Sequence, residues 1–181
     1  MHSNSALATP ASTLVLGGAR SGKSRFAERL ALDSGLQRIY LATATAGDDE
    51  MRRRIAHHRA QREDGWRTVE ESLELTDTLA RECAADRVVL VDCLTLWLSN
   101  LMFAARDIAA ETSKLADWLQ STPHAVLLVS NEVGLGLVPE TSLGRDFRDA
   151  QGRLNQAVAA AVANVAFVAA GLPLWLKRSS T

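Results

Sequence analysis

The octapeptide Gly17-Gly-Ala-Arg-Ser-Gly-Lys-Ser24 constrains this chain more than any other feature. It fits G-x-x-x-x-G-K-[S/T], with Gly17, Gly22, Lys23 and Ser24 at the four defined places and Gly18, Ala19, Arg20 and Ser21 completing the loop. The apolar run Thr13-Leu-Val-Leu precedes it, and a segment of helical spacing follows from Lys23 to Ser34. That segment puts Phe26, Ala27, Leu30 and Ala31 on one side and Arg25, Glu28 and Arg29 on others, and Gly35 stops it. A strand, a Gly-rich turn and a helix N-terminus form a phosphate cradle: glycines let the backbone curl, successive N–H groups converge on phosphate oxygens, and the helix end adds partial positive charge. Lys23 is expected to meet the β and γ phosphates of a nucleoside triphosphate, and Ser24 to be a Mg2+ ligand. A Gly-rich strand-to-helix turn without a ligand is the alternative, and Lys, Ser and both flanking elements weigh against it.

Apolar runs bounded by turn residues alternate with helically spaced segments along the rest of the chain, which predicts an α/β fold with a mostly parallel central sheet flanked by helices. Strands are expected at Arg38 to Thr43, Trp66 to Glu70, Arg87 to Asp92 and Ala125 to Ser130. Helices are expected over Glu50 to Arg62, Leu73 to Ala85, Leu94 to Phe103, Ile108 to Gln120 and Ser142 to Ala163. Val165 to Ala169 and Leu174 to Lys177 predict a terminal hairpin around Gly171-Leu-Pro173. Residues 1–12 read as a disordered leader and 13–181 as one nucleotide-binding domain.

Composition narrows the function. With 20 basic and 21 acidic residues there is no charge excess to hold a polyanion, so nucleic acid is not an expected partner. The longest apolar stretch, Ala157 to Ala170, is broken by Asn164 and too short to span a bilayer, so no stable membrane insertion is expected. Cys83 and Cys93 lack metal-site or disulfide spacing, and a reducing cytoplasm is the expected compartment. Only three lysines occur, none after an asparagine, which excludes the Asn-Lys-x-Asp guanine reader of a switch GTPase. A compact transferase is the default that remains.

Two further places carry chemistry. Asp92 ends a strand of four consecutive apolar residues and is expected to be the acidic partner of Mg2+; capping the next helix is the alternative. Asn131 and Glu132 end another core strand, where open α/β sheets place ligands, or else they cap the following loop. The loop Gly134 to Pro139 reads as a lid or a turn. Arg145, Arg148 and Arg153 are cationic candidates for a substrate phosphate or plain solvated charges, while Trp97, Phe103, Trp118, Phe147 and Trp175 read as core or subunit-interface residues.

The segment DDEMRRRIAHHRAQRE holds the adjacent pair His57 and His58. On a helix, Arg54, His58 and Arg62 stack in one column with Arg59 beside it, an arrangement that suits bound phosphates better than solvent. A cationic surround favours neutral, nucleophilic imidazole, so a histidine there could attack an α-phosphate. A charged, solvated helix with idle histidines stays open as the other reading.

Together GGARSGKSRFAE, RIYLATA, the histidine segment followed by WRTVEE, VDCLTLWLSNLM and SNEVGLGLVPETSLGRDFRDAQGRLNQ resemble the bifunctional adenosylcobinamide kinase/adenosylcobinamide-phosphate guanylyltransferase family of cobalamin biosynthesis, over about Thr13 to Lys177. The resemblance implies two reactions: phosphorylation of adenosylcobinamide, then transfer of GMP from GTP to adenosylcobinamide phosphate through a guanylylated histidine. It implies nucleotide contacts from Gly17 to Ser24, from Ala42, Thr43 and Ala44, from Arg59, Ala60, Gln61 and Arg62, and from Glu70 and Asp92. It implies that the second histidine, His58, is modified, in line with the helical column, and that the chain forms a trimer. ATP and GTP both stand as phosphoryl donors. A monofunctional small-molecule kinase and a nucleotide-sensing regulatory protein are the rival functions.

Overall fold

The computed structural model describes residues 11–44 and 65–179. Seven strands form one sheet: β1 (Thr13–Gly17), β2 (Gln37–Ala42), β3 (Trp66–Glu70), β4 (Arg87–Asp92), β5 (Ala125–Asn131), β6 (Asn164–Ala169) and β7 (Leu172–Lys177). Their order is β3-β2-β4-β5-β1-β6-β7, all neighbours parallel except the antiparallel β6–β7 pair. The helices are α1 (Lys23–Asp33), α2 (Leu75–Glu82), α3 (Leu94–Phe103), α4 (Ile108–Ser121) and α5 (Ser142–Ala161).

Sequence explains why the central strands are continuous apolar runs: both faces are covered. On β4 and β5, Val89, Val91, Val126 and Leu128 pack with Leu75, Leu98, Leu115 and Leu154 of α2 to α5. The alternate residues Val88, Leu90, Leu127 and Val129 pack with Ala27 and Ala31 of α1 on the other face. Parallel strands bring their carboxyl ends to one edge. Register sets Ala42 beside both Glu70 and Asp92, and Gly17 beside Asn131.

Several boundaries differ from expectation, each for a local reason. Helix α2 starts at Leu75 rather than Leu73 because the Glu71 carboxylate accepts the N–H groups of Leu73 and Glu74 and holds a turn there. Helix α5 stops at Ala161 because the Ser12 hydroxyl takes the Ala163 N–H and the Ser12 carbonyl takes that of Asn164. Ser12, counted with the leader, is thus already bonded into the fold. The hairpin turns at Ala170 and Gly171, both at positive φ, so Leu172 and Pro173 belong to β7 and not to the turn. A two-residue turn of this kind matches strand twist, and Pro173 is tolerated because β7 is an edge strand.

Candidate nucleotide site

The loop after β1 has the geometry its glycines allow. Gly22 caps α1 at φ 95° and Arg20 sits at φ 57°, both in the left-handed region. A Cβ on Gly17 would lie 2.5 Å from the Ser21 hydroxyl and from the Val168 carbonyl, so only glycine fits there. No side chain caps the first turn of α1, which leaves its N–H groups directed at the loop's concavity. The Ser21 hydroxyl is buried without a partner among the described residues. From across the sheet, the Gly171 N–H donates to the Ser21 carbonyl at 2.8 Å, so the β6–β7 turn buttresses the loop.

Lys23 is only 9% exposed, and its ammonium donates to the Gly18 carbonyl at 3.0 Å. Burial lowers its pKa, and the Cys93 and Asp92 groups oppose that shift. Asp92 therefore stands near enough to act on the lysine charge. It does not cap α3: the N-cap position is Cys93, without a side-chain bond, and the Asp92 carboxylate instead accepts the Tyr40 hydroxyl at 2.8 Å. Ser24 and Asp92 offer hard oxygen donors of the type Mg2+ takes, a chemistry in which one or two protein oxygens suffice when phosphates supply others.

The remaining expected residues divide. Ala42 and Glu70 lie in one row with Asp92 at the sheet edge, and the exposed Glu70 ends β3. Thr43 is buried, its hydroxyl accepting the Cys93 N–H and donating to the Cys93 carbonyl. That ties the ends of β2 and β4 together, and the Thr43 backbone is engaged too, its N–H on the Asp92 carbonyl at 3.3 Å and its carbonyl accepting the Asn100 amide. Ala44 is the last described residue before the histidine segment. His57, His58 and Arg59 to Arg62, with the helix expected around them, lie outside the described residues. Arg145 braces the loop carbonyls of Pro139 and Glu140, and Arg148 pairs with Asp149, so both have local structural tasks. Trp97 is core, with its indole N–H on the Leu73 carbonyl, whereas Phe103 is exposed.

Sequence reasoning missed Tyr40, Asn100 and the polar side chains behind β5. Asn100 donates to the carbonyls of Thr43 and Ser72, which flank the segment between β2 and the turn after β3. Its signal was an asparagine amid the Leu, Trp and Met side chains of a largely apolar helix.

Both cysteines are held as neutral thiols. Burial, followed by the Asp92 charge, pushes Cys93 up to about 11, and burial with Glu82 pushes Cys83 up to about 12. At pH 8 a thiol with a pKa of about 11 is ionised on the order of once in a thousand molecules. Ellman's reagent at pH 8 is therefore expected to leave the folded chain almost unreacted and to titrate two thiols in guanidinium; rapid native labelling of either would refute this burial.

The sequence matches the family model described as cobinamide kinase / cobinamide phosphate guanyltransferase over residues 13–176. The chain belongs to this family. A bifunctional adenosylcobalamin biosynthesis protein, CobP, of Pseudomonas aeruginosa is 54% identical over 91% of this chain and 96% of its own length. The CobU protein of the same description from Escherichia coli is 43% identical over 91% of this chain and 98% of its own. Among solved structures, a Pyrococcus horikoshii protein aligns at TM-score 0.57 and 11% identity, over 96% of this chain and 90% of that one, a likeness of fold alone. The mostly parallel sheet carries the loop-to-helix turn at the carboxyl ends of its strands, and Ala42, Glu70 and Asp92 end neighbouring strands at that same edge.

Proposed function

We propose that this chain phosphorylates the aminopropanol hydroxyl of adenosylcobinamide and then converts adenosylcobinamide phosphate to adenosylcobinamide-GDP. The observation that carries the reading is the family match over nearly the whole domain, joined to a complete phosphate loop at the sheet edge. In the first reaction the substrate oxygen bonds to the γ-phosphorus of ATP or GTP and the bond to the β-phosphate oxygen breaks. The nucleoside diphosphate leaves, and the hydroxyl proton passes to solvent or to a nearby base. Gly17 to Ser24 hold the phosphates, with Lys23 as the charge that follows the transferring group. Mg2+, held by Ser24 and Asp92, would neutralise phosphate charge.

In the second reaction the His58 imidazole attacks the α-phosphorus of GTP, a P–N bond forms and pyrophosphate leaves. A phosphate oxygen of adenosylcobinamide phosphate then takes the GMP group as the P–N bond breaks, which restores the histidine. Ala42, Thr43, Ala44, Arg59 to Arg62 and Glu70 serve the guanine nucleotide in this reading. The decisive experiment supplies adenosylcobinamide with γ-labelled and, separately, α-labelled GTP. The expected result is γ-label in the corrinoid phosphate and α-label in adenosylcobinamide-GDP. Kinase turnover without α-label transfer would leave a monofunctional kinase, and nucleotide binding without any turnover would leave a sensor.

We place the enzyme in the cytoplasm as a trimer. Leu172 and Leu174 support the assembly: they alternate onto one face of the edge strand β7 and are 74% and 63% exposed, and Leu176, at the register shift that follows, is 59% exposed. Such an apolar ladder on an edge strand favours cover by another copy. Sedimentation is expected to show a trimer and Leu174→Glu a smaller species; an unchanged mass for the variant would remove this face from the interface.

A further inference from the structure

Behind the end of β5, where apolar side chains would pack α5 against the sheet, the chain buries a polar cluster. Ser130 and Gln151 are fully buried and Asn155 is 5% exposed. The Ser130 hydroxyl donates to the Asn155 side-chain oxygen at 2.7 Å, and the Gln151 amide donates to both at 3.0 Å. Asn155 then donates its own amide to the Asn131 carbonyl at 3.1 Å, and the Thr95 hydroxyl of α3 accepts the Asn131 N–H at 2.9 Å. Both backbone polar groups of Asn131 are thus tied by side chains. This happens beyond the point where β4 stops, since the β4–β5 ladder ends with Asp92 opposite Val129.

The clamp fixes a direction. Side chains alternate along β5: Val126 and Leu128 pack on the α5 face, and Ser130 continues that row into the cluster. Leu127 and Val129 pack on the α1 face, and Asn131 continues theirs. On β4, Val88 and Leu90 likewise lead to Asp92 on the α1 face. Asn131 is paired with Gly17, and the Glu132 N–H donates to the Gly17 carbonyl at 3.1 Å. The Asn131 amide therefore emerges beside the phosphate loop, on the same face as Asp92, and has no hydrogen-bond partner among the described residues.

We propose that Asn131 donates its side-chain amide to the transferring phosphoryl group of the nucleoside triphosphate, and that Thr95, Ser130, Gln151 and Asn155 are positioning residues that hold it there. Stability alone does not account for the cluster. The Gln151 carbonyl oxygen is buried without a partner among the described residues, a cost that an apolar residue of similar size would relieve. A donor aimed at developing charge needs rigidity, which the bonds to both backbone groups of Asn131 supply, and a polar cluster kept at such a cost is characteristic of functional sites.

The inference rests on the proposed phosphoryl transfer, and a double-mutant cycle tests it. Asn131→Ala is expected to lower the kinase kcat by roughly 10- to 100-fold, with the nucleotide KM within about twofold, as for loss of one transition-state donor. Asn155→Ala should lower kcat in the same way, and the double variant should be no slower than Asn131→Ala alone, because the two act as one unit. Gln151→Met is expected to match or exceed the parent Tm and still lose kcat, and it replaces Asn155→Ala in the cycle should that variant not fold. Multiplying effects, or full activity of Asn131→Ala, would overturn the proposal. Nucleotide hydrolysis without corrinoid is measured in parallel, so a parent chain inert toward adenosylcobinamide would sink the proposed function while the hydrolysis cycle still judges the clamp.

Discussion

Lys23→Ala is expected to reduce phosphoryl transfer to adenosylcobinamide by at least about two orders of magnitude, a loss of roughly 3 kcal/mol of transition-state stabilisation. The reason lies in its placement. The ammonium is buried beneath the loop and waits on the Gly18 carbonyl, so it needs little reorganisation to meet a phosphate. Arginine is not expected to rescue it, since a planar fork does not fit where a compact charge sits beneath a backbone carbonyl. The measurement is kcat and KM with the Tm beside them: a large fall in kcat at unchanged Tm is the expected pattern, and intact turnover would refute the role of the loop.

His58→Ala is expected to abolish covalent capture of α-labelled GTP while phosphorylation of adenosylcobinamide persists. In the parent chain the label should survive denaturation, and it should be lost on mild acid treatment, as phosphoramidates are, yet withstand base. His57→Ala is expected to keep the label. The reverse outcome would move the covalent site one residue, and label retained when both histidines are replaced would exclude a histidine intermediate at this pair. Because Lys23→Ala and His58→Ala strike different bond-breaking steps, their combined pattern separates two reactions on one chain from a single promiscuous one.

How much of this was legible in the sequence depends on whether local or distant contacts decide the structure. The phosphate loop, α1 and the apolar strands could be read because glycine conformation, helix caps and two-sided burial are written into neighbouring residues. Asp92 could be placed at a strand end for the same reason, but its bond to Tyr40 could not, since the two are joined only by the pairing of β2 with β4. The order of strands was likewise not visible: nothing local tells β1 to lie between β5 and β6. Asn155 and Gln151 look like ordinary polar helix residues until the helix is docked, and only their i, i+4 spacing among apolar neighbours hinted at a shared buried face. Nor does the local sequence show that the Thr43 hydroxyl bonds the Cys93 backbone fifty residues away, since only the docking of β2 on β4 brings them together.

The turn at Ala170 and Gly171 has a consequence for how the protein comes into being. The phosphate loop follows the first strand of the sheet, but the donor to its Ser21 carbonyl arrives about 150 residues later in synthesis, from Gly171. Strand β1 also waits, because its partners β5 and β6 are both made after most of the sheet. A ribosome-bound chain therefore carries the phosphate-binding sequence through about 150 further residues of synthesis before the scaffold that shapes it is present. Nucleotide binding would come only after the β6–β7 turn is made, which makes it a report that strands β1 to β7 have assembled.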